Sequence, residues 1–393
     1  MKSMKKRVAI IGGGASGMVT AIVASQNGMS IELFEKSVKV GRKILATGNG
    51  RCNISNENID ITNYHGKHPS FVKDALKRFN TSEAKKFFSS LGLEMTEGAN
   101  GRLYPMSLQS SSVVDLLFYK VKSLGVKVHL SYEVIDVKKI GDIFKVDEKE
   151  FDLVVVATGS LAMPTLGSSE SGYKFARFFG HGIEKPFASL VQLVCDDELI
   201  KEASGVKLDA DLEIFVDGKP KMSVRGDLLF TNYGLSGSAI LDISRTASFA
   251  LSRGCDVKIQ IDLLPELSLD GLKSLLLKRA KLELPSELWL NGIVHKKLVK
   301  LLKFSNVNTK TIHKLAYEIK NLSLKIDATK GTKSCEVMAG GVSTSDINPK
   351  TMESKLVSGL FFCGEVLDID GDCGGFNLHF AWASGSVVGN SLG

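Results

Sequence analysis

The strongest constraint on the fold is a glycine-rich turn that lies between a strand-like segment and a helix-like segment near the N-terminus. Residues 7–11 (RVAII) are apolar after the first position, residues 12–17 (GGGASG) match G-x-G-x-x-G, and residues 18–24 are small and apolar. Such glycines allow a tight turn out of the strand, close approach of a pyrophosphate, and close helix packing. The motif alone is weak, but this order of elements predicts a Rossmann-type dinucleotide site.

The expected contacts in this turn are backbone groups at the start of the helix, where free N–H groups and a partial positive charge favour phosphate. They come from Gly12, Gly14, Ala15, Ser16 and Gly17. A second apolar strand ends at Glu35, which is followed by Lys36. A carboxylate at that position is expected to accept hydrogen bonds from ribose hydroxyls.

Composition indicates an ordinary globular protein. The chain has 393 residues, of which 44% are hydrophobic and 24% charged, enough for two or three domains. Its six cysteines are scattered without C-x-x-C spacing, which argues against structural zinc and favours a reducing, cytoplasmic location. No stretch approaches the roughly 20 apolar residues of a membrane span.

The order of predicted elements indicates an α/β domain with insertions. Short strands predicted at 126–130, 133–139 and 144–146 suggest a β-meander that crosses over to a parallel strand at 152–156. Asp217-Gly218 between alternating segments predicts a hairpin. We therefore expect a discontinuous nucleotide-binding domain (1–189 and 335–393), an inserted mainly-β domain (190–265 and 322–334) and an inserted helical domain (266–321).

Three further glycine turns after apolar segments favour FAD over a nicotinamide dinucleotide. They lie in residues 41–53 (GRKILATGNGRCN), 154–159 (VVVATG) and 363–365 (CGE). Small residues at a strand end let the backbone pass close to a ligand. A ligand as long as FAD would use all of these strand ends, whereas a nicotinamide enzyme would normally add a second βαβ half.

The C-terminal segment is expected to complete the flavin end of the site. Glu365 or Asp372 is placed to hold ribityl hydroxyls, and a helix begins near Gly375. The N–H groups and dipole of that helix would face the flavin pyrimidine edge and favour the reduced anionic flavin.

The chain also resembles a known family in three motifs. Residues 41–53, residues 231–237 (TNYGLSG) and residues 364–372 (GEVLDIDGD) resemble the BaiN/YhiN-like, aminoacetone-oxidase-like bacterial flavoproteins over essentially the whole length. The resemblance implies a Rossmann-like FAD domain of the glutathione reductase type, interrupted by a β-barrel-like domain and a small helical domain. Activities ascribed to the family range from amine oxidation to reduction of steroid double bonds, so it implies the cofactor better than the substrate.

The resemblance implies FAD contacts at Gly12, Gly14, Ala15, Gly17, Glu35, Arg42, Lys43, Val134, Thr158, Gly159, Glu365, Asp372 and Asn377. The motifs themselves add Ser16, Lys36, Arg51, Cys52, Asn53, Ala157, Gly364, Gly375 and Phe376. Where the family pattern usually has Pro, this chain has Ser238, which is expected to cap the helix that follows.

Several other residues have a structural interpretation that competes with a functional one. Cys52 and Cys373 are expected near the flavin but are better explained as small buried thiols. His379 and Trp382 share a helix face, for which core packing is favoured over substrate contact. Arg102 and Tyr104 lie in a glycine-rich loop and could face substrate, but solvent exposure is at least as well supported.

The helical insertion is the basic part of the chain. Residues 272–320 hold eleven Lys or Arg against three Glu, whereas the whole chain has a net charge of +7. A basic helical face can bind RNA, an acidic carrier or a membrane surface. A solvated face is the favoured interpretation, because no aromatic residues alternate with the charges for base stacking.

These patterns predict an FAD-dependent oxidoreductase that transfers hydride between flavin and a small organic substrate or NAD(P)H. There is no second G-x-G-x-x-G for a separate NAD(P)H domain. The alternatives are an FAD-dependent RNA-modifying enzyme that uses the basic insertion and a non-catalytic flavin-dependent sensor. The substrate, the catalytic residues and the oligomeric state are left open by the sequence.

Overall fold

A computed structural model describes residues 5–282, 284–285, 288–302 and 311–393. The chain forms two compact units, the first from Met1–Pro186 with Glu336–Gly393 and the second from Phe187–Cys335. The predicted division into three domains stays a prediction. None of the described helices combines the length and apolar character needed to cross a lipid bilayer.

The strands are, in chain order, β1 (Arg7–Ile11), β2 (Ser30–Phe34), β3 (Ser55–Asn56), β4 (Tyr64–His65), β5 (Met95–Glu97), β6 (Arg102–Pro105), β7 (Lys127–His129), β8 (Val137–Ile140), β9 (Ile143–Val146), β10 (Lys149–Phe151), β11 (Leu153–Val156), β12 (Ile183–Ser189), β13 (Leu193–Val194), β14 (Lys207–Val216), β15 (Lys219–Thr231), β16 (Gly234–Ser236), β17 (Val257–Asp262), β18 (Leu322–Ile326), β19 (Ala328–Thr329), β20 (Val337–Val342), β21 (Leu360–Phe362) and β22 (Asp370–Gly371). The α-helices are α1 (Ala15–Gln26), α2 (Arg42–Ala46), α3 (Lys73–Arg78), α4 (Thr81–Ser90), α5 (Ser110–Ser123), α6 (Ser171–Phe178), α7 (Glu198–Glu202), α8 (Ser238–Leu251), α9 (Leu269–Ala280), α10 (Lys296–Val299), α11 (Ile312–Lys320) and α12 (Phe376–Ser391).

The first unit is built on a five-stranded parallel sheet in the order β21-β11-β1-β2-β7. Its central strands are continuous apolar runs because both faces of the sheet are covered. Parallel strands end at one edge of a sheet, and hydrogen bonds here join those ends directly. Gly12 N–H donates to Phe34 O (2.8 Å) and Ala157 N–H donates to Ile11 O (2.8 Å). The predicted Rossmann-type α/β fold is confirmed.

The crossover from β7 to β11 is an antiparallel meander of β8, β9 and β10, as the sequence indicated. The strand predicted at 133–139 was wrong in its first half, since β8 begins only at Val137. The backbone N–H groups of Ile135 and Asp136 donate to Asp147 Oδ1 (3.1 and 2.9 Å) instead of to a neighbouring strand. A side-chain acceptor therefore replaces the sheet partner that the alternating pattern suggested.

The last helix packs directly on the first. A Cβ added to Gly385 of α12 would lie 2.5 Å from Ser16 O of α1. Thr20 Oγ1 donates a hydrogen bond to Gly385 O (3.1 Å). The small residues of α12 thus let its backbone approach α1 closely, and this fixes the position of the start of α12 in the first unit.

The second unit contains a seven-stranded antiparallel sheet in the order β18-β17-β14-β15-β16-β13-β19. The predicted hairpin at Asp217-Gly218 joins β14 to β15. The two edge strands, β18 and β19, are separated by Asp327 alone, so the sheet must curl until its edges approach, as in a barrel. Residues of α8, α9 and α11 share one apolar core with this sheet.

The expected role of Ser238 was wrong. Gly237, with φ of 102°, occupies the N-cap of α8, and Ser238 is the first helical residue, with no side-chain cap at this end. A side chain at Gly237 would overlap the carbonyl of Asp227, so glycine holds the cap position. The first helical position is also the one where Pro is favoured, which explains the family pattern.

Candidate functional site

In the first glycine turn, two glycines have no room for a side chain and the third borders free space. A Cβ on Gly12 would overlap Ala157 O, and a Cβ on Gly17 would overlap Gly12 O. A Cβ on Gly14 would meet nothing within 4 Å. The outer two glycines therefore close strand and helix together, whereas the middle one borders space that a ligand can enter.

The start of α1 is arranged for an anion. Gly14 is its N-cap and no side chain caps this end, so the first-turn amides of Ala15, Ser16 and Gly17 are not taken by a side chain. The first intrahelical bond runs from Met18 N–H to Gly14 O (3.0 Å). A helix end of this kind presents N–H groups and positive potential to a phosphate.

Glu35 holds the turn in place as well as facing it. Its Oε2 accepts from Gly13 N–H (2.9 Å) and its Oε1 accepts from Ser37 N–H (2.7 Å). Each carboxylate oxygen has a further lone pair for a ribose hydroxyl. The predicted contact thus has a second role that the motif did not indicate.

Two other predicted contacts lie around this end of β2. Tyr132 N–H donates to Glu35 O (3.0 Å), so the loop that carries the buried Val134 lies beside the end of β2. Arg42 Nη2 donates to Thr165 O (2.9 Å). A Cβ on Gly167 would come within 4 Å of both Lys36 and Arg42, which places these two cations near one loop.

The ends of β11 and β21 meet the two packed helices. Ser16 Oγ donates to Cys363 O (3.3 Å), and Gly364 N–H donates to Ser384 Oγ (2.9 Å). Ala157 closes the β1–β11 contact described above, and Thr158 packs against Gly172. Gly159 has φ of 73° and nothing within 4 Å of an added Cβ, so it borders open space.

Lys43 and Glu365 form an ion pair between segments far apart in sequence. Lys43 Nζ lies 2.5 Å from Glu365 Oε2, and both side chains are mostly buried. Glu365 Oε1 accepts from Met338 N–H (3.1 Å). The pair places the two predicted contacts side by side and balances their charges.

A buried acceptor lies beside the start of α12 and has no partner among the described residues. Gly375 caps the helix with φ of 98°, and an added Cβ would lie 2.5 Å from Ser55 O and 2.7 Å from Asn53 Oδ1. Asn53 Oδ1 is buried and has no hydrogen-bond partner among the described residues. An unpaired buried acceptor is costly, so this position fits a ligand group that donates a hydrogen bond.

The loop before α12 is held by its own side chains. Asn377 Oδ1 accepts from Gly371 N–H (2.8 Å), and Asn377 Nδ2 donates to Gly371 O (2.8 Å). Tyr64 Oη donates to Phe376 O (3.1 Å). Asn377 and Phe376 therefore fix the direction of the backbone, whatever further contacts they make.

Asp372 is half-buried and paired with a histidine that the sequence did not single out. His65 Nε2 lies 2.7 Å from Asp372 Oδ1, and Asn63 Nδ2 donates to Asp372 Oδ2 (3.3 Å). The sequence could not indicate His65, because a single histidine forms no motif and β4 pairs with β22 only in the folded chain.

In the loop 47–53, the side chain of Arg51 contacts other protein groups and that of Cys52 is buried. The Arg51 guanidinium lies 5.1 Å from the centre of the Tyr104 ring, and Arg51 Nε donates to Gly48 O (3.2 Å). Cys52 is fully buried, and burial raises the pKa of its thiol to about 12. The thiol is therefore neutral and unreactive, in agreement with the structural interpretation.

His379 and Trp382 belong to the core, as favoured. His379 is fully buried, with Nε2 2.8 Å from Phe79 O and Nδ1 2.8 Å from Ser55 Oγ. Because the carbonyl only accepts, Nε2 carries the hydrogen and Nδ1 accepts from the hydroxyl. Burial lowers the pKa of His379 to about 4, so the ring is neutral.

Several cations of the basic insertion have structural partners. Arg279 donates to Trp289 O and Asn291 O, Lys320 pairs with Asp262 (2.5 Å), and Lys300 pairs with Glu202 (2.5 Å). Lys297 donates to Ser204 O (2.7 Å). Lys303, Lys310, Glu283 and Glu287 of the predicted basic face lie outside the described residues.

The residues of the first unit fit FAD, since the open glycine position borders the uncapped start of α1 and an unpaired buried acceptor lies beside the uncapped start of α12. Comparisons with known proteins agree with this. The family described as HI0933-like protein Rossmann domain matches residues 6–391. A 3-dehydro-bile acid delta(4,6)-reductase of Clostridium scindens is 36% identical over 98% of both chains.

A ribosomal RNA dihydrouridine synthase of Haemophilus influenzae is 33% identical over 98% of this chain and 97% of its own length. Among solved structures, a 3-ketosteroid delta1-dehydrogenase from Sterolibacterium denitrificans has a TM-score of 0.50 and 11% identity, with 99% of both chains covered. At that identity the likeness concerns the fold alone.

Proposed function

The chain belongs to the HI0933-like protein family and is an FAD-dependent oxidoreductase, and we propose that it reduces carbon–carbon double bonds conjugated to a carbonyl group. The names of two relatives support this class of reaction. One is a reductase of a 3-dehydro-bile acid, and the other makes dihydrouridine, in which a ring double bond beside a carbonyl is saturated. Both reactions add hydride to one carbon and a proton to its neighbour.

The observation that carries the proposal is that the glycine-capped start of α1 packs against the middle of α12, whose own glycine-capped start lies about 15 Å further along that helix. Ser16 Oγ reaches Cys363 O, Gly364 N–H reaches Ser384 Oγ, and α12 packs on α1. A ligand with a pyrophosphate at one end and a polar ring at the other matches this arrangement.

In this proposal different residues of the chain bind different parts of the cofactor. The start of α1 binds the pyrophosphate, Glu35 accepts from the adenosine ribose, and Glu365 accepts from ribityl hydroxyls beside Lys43. Asn53 Oδ1 and the amides of α12 bind the pyrimidine edge of the flavin. When bound, FAD supplies reversible uptake of a hydride.

We propose NAD(P)H as the reductant and the cytoplasm as the location. All six cysteines are free thiols, which suits a reducing compartment. No second glycine-rich dinucleotide motif is present in the sequence, so the nicotinamide would bind transiently.

The test is anaerobic. FAD-loaded protein is mixed with NADPH or NADH, and bleaching of the flavin absorbance is followed; the reduced protein is then mixed with 2-cyclohexen-1-one or 4-androstene-3,17-dione. Reoxidation with saturation of the double bond is expected. Failure of every conjugated carbonyl compound to reoxidise the flavin would overturn the proposal.

A second candidate substrate is uridine in ribosomal RNA, which the name of the Haemophilus influenzae relative favours. It predicts salt-sensitive RNA binding through the basic insertion. Lys297 and Lys300 already have partners, so Lys296→Gln is the informative variant and Lys300→Gln its control. Absence of rRNA binding at low salt would eliminate this candidate. The sensor hypothesis is not retained, because the chain is an oxidoreductase.

A further inference from the structure

A groove on the surface of the first unit has no role in the proposed reaction. Its volume is about 510 Å³, which lies in the range of small-molecule sites. Its walls come from β8, the end of α6 and the loop before β21. We call it the β8–α6 groove, and its lining residues are Lys138, Lys139, Ile140, Phe178, Phe179, Leu356, Val357 and Ser358.

The apolar walls of the β8–α6 groove are open to solvent. Phe178 and Ile140 are each 63% exposed, and Leu356 is 53% exposed. Single exposed apolar side chains are normal on a protein surface, but here one from each of three separate segments lines the same groove. Exposed apolar surface that is contiguous in this way indicates a site for an apolar group of a ligand.

The charged residues that line the groove are both lysines. Lys139 Nζ donates to Ser358 O (2.6 Å) and lies 5.2 Å from the centre of the Phe144 ring, so this ammonium group is held in place. An ammonium group has three donors, and the bond to Ser358 O leaves donors for a ligand. Lys138 pairs with Asp136, but both side chains are about half exposed, so little free energy opposes exchange of Asp136 for another anion.

Glu353, which lies in the same loop as Ser358, does not offset these cations. Its Oε1 accepts from Gly359 N–H (2.8 Å) and thereby holds the loop. The described residues that line the groove include no acid. The groove therefore combines apolar walls with positive charge, and it is complementary to a molecule that has an apolar body and an anionic head.

The groove and the candidate cofactor site lie at opposite edges of the parallel sheet. Val154 N–H donates to Gly359 O (3.0 Å), so the loop 356–358 adjoins the beginnings of β11 and β21. The predicted cofactor contacts Ala157 and Gly364 follow the ends of the same two strands. Three or four strand residues span about 10–13 Å. A molecule in the groove is therefore not the substrate of the flavin, and the inference below does not depend on the proposed function.

We propose that the β8–α6 groove is a second binding site of the protein and takes a small aliphatic carboxylate. The alkyl chain lies against Ile140, Phe178 and Leu356, and the carboxylate accepts hydrogen bonds from the Nζ atoms of Lys138 and Lys139. Ammonium groups on flexible stems suit such a compact head, and the described lining residues include no arginine for bidentate binding of a phosphate. A concave site of this volume fits one small molecule better than a flat lipid surface.

The test measures binding of octanoate to the FAD-loaded full chain by calorimetry. Acetate is the probe for the head alone, and 1-octanol is the probe for the alkyl chain alone. Lys139→Gln removes a positive charge from the groove, and Phe178→Ser removes part of its apolar wall. Lys86→Gln and Tyr119→Ser alter side chains outside the groove that are both 69% exposed, and they serve as matched controls.

Octanoate should bind the unaltered protein at least about tenfold more tightly than acetate or 1-octanol, because each of those lacks one of the two contacts. Lys139→Gln should lose about tenfold in affinity for octanoate and keep its affinity for 1-octanol. Phe178→Ser should bind both about tenfold more weakly. The two control variants should bind octanoate as the unaltered protein does.

Equal affinity of the unaltered protein for octanoate and 1-octanol would overturn the role of the ammonium groups. Unchanged octanoate binding by Phe178→Ser would place the ligand elsewhere and overturn the proposal. Binding to phosphatidylglycerol vesicles without binding of millimolar octanoate would assign the groove to a membrane surface instead. The FAD-free protein should bind octanoate with the same affinity, and a dependence on FAD would contradict the position of the groove away from the cofactor.

Discussion

The helices α1 and α12 begin alike but owe their positions to different parts of the chain. Each starts at a glycine without a side-chain cap. The start of α1 is sealed within its own turn, because Gly17 packs on Gly12. The start of α12 is sealed by Ser55 and Asn53, more than 300 residues earlier. One half of the site is therefore local, and the other exists only after distant segments meet.

The largest expected effect concerns the local half. Gly17→Ala would push a methyl group into Gly12 O, so we expect a loss of about 3 kcal/mol or more in the free energy of unfolding. Gly14→Ala is the matched control, because the added Cβ would meet no atom of the described part of the chain within 4 Å apart from its chain neighbours. It should cost less than about 1 kcal/mol while FAD affinity falls at least about tenfold. Urea unfolding and FAD titration measure both, and unchanged FAD binding by Gly14→Ala would contradict the placement of the pyrophosphate.

The next effect is a pH dependence of the free energy of unfolding, which arises from His379 in α12. The pKa of His379 is about 4 in the folded chain, against 6.5 when exposed. Below pH 6.5 the unfolded chain binds a proton that the folded chain does not, so stability falls with pH and the loss levels off below pH 4. The expected loss is about 2 kcal/mol at pH 5 and about 3 kcal/mol in total.

The measurement for this effect is urea unfolding at pH 7 and pH 5. His379→Gln keeps a donor towards Phe79 O and has no titrating group in this range. Its stability should fall by about 2 kcal/mol less than that of the unaltered protein over the same interval. Identical pH dependence in both proteins would show that His379 is not buried in its neutral form.

A comparison of two glycine variants distinguishes backbone strain from crowding at the start of α12, and the expected difference is smaller. Gly375→Ala adds a Cβ 2.5 Å from Ser55 O in a left-handed conformation, and we expect a loss of about 2–3 kcal/mol together with weaker FAD binding. Gly180→Ala has a similar φ of 87° and open space around the Cβ. It should lose only about 1–2 kcal/mol. Equal losses in calorimetry would mean that crowding by Ser55 and Asn53 contributes nothing.

The smallest effect on stability concerns Asn53, for which FAD affinity should change more than the stability of the FAD-free protein. Asn53→Ala removes a buried acceptor that has no hydrogen-bond partner among the described residues, so the stability of the FAD-free form should change by less than about 1 kcal/mol. FAD affinity should nevertheless fall about tenfold, equivalent to one lost hydrogen bond. A large loss of apoprotein stability with unchanged affinity would show that Asn53 is purely structural.

The sequence predicted the local half of the site because its determinants are neighbours. The strand, the glycine turn and Glu35 lie within about thirty residues, and their spacing reflects direct contacts. The small residues of α12 were recognised too, but not the reason for Gly375, which is the carbonyl of Ser55. That contact depends on how the loop 47–53 folds against α12.

Charged residues of the site were predicted less completely. Lys43 and Glu365 were both identified, yet their pairing follows only from the approach of α2 to the end of β21. His65 has no spacing signal, because a single titratable residue beside a short strand is common in any α/β protein. The strand predicted at 133–139 failed for a related reason, since Asp147 replaced the expected backbone partner.

The packing of α12 on α1 also bears on how the protein is made. During synthesis α1 leaves the ribosome long before residues 376–391 exist, so its small and apolar residues must wait for their final neighbour. A nascent chain that stops before α12 should bind no FAD, although all five strands of its parallel sheet, including β21, have been synthesised. The yellow colour of the holoprotein would then mark chains whose translation is complete. The supply of FAD would determine how many newly released chains become holoprotein.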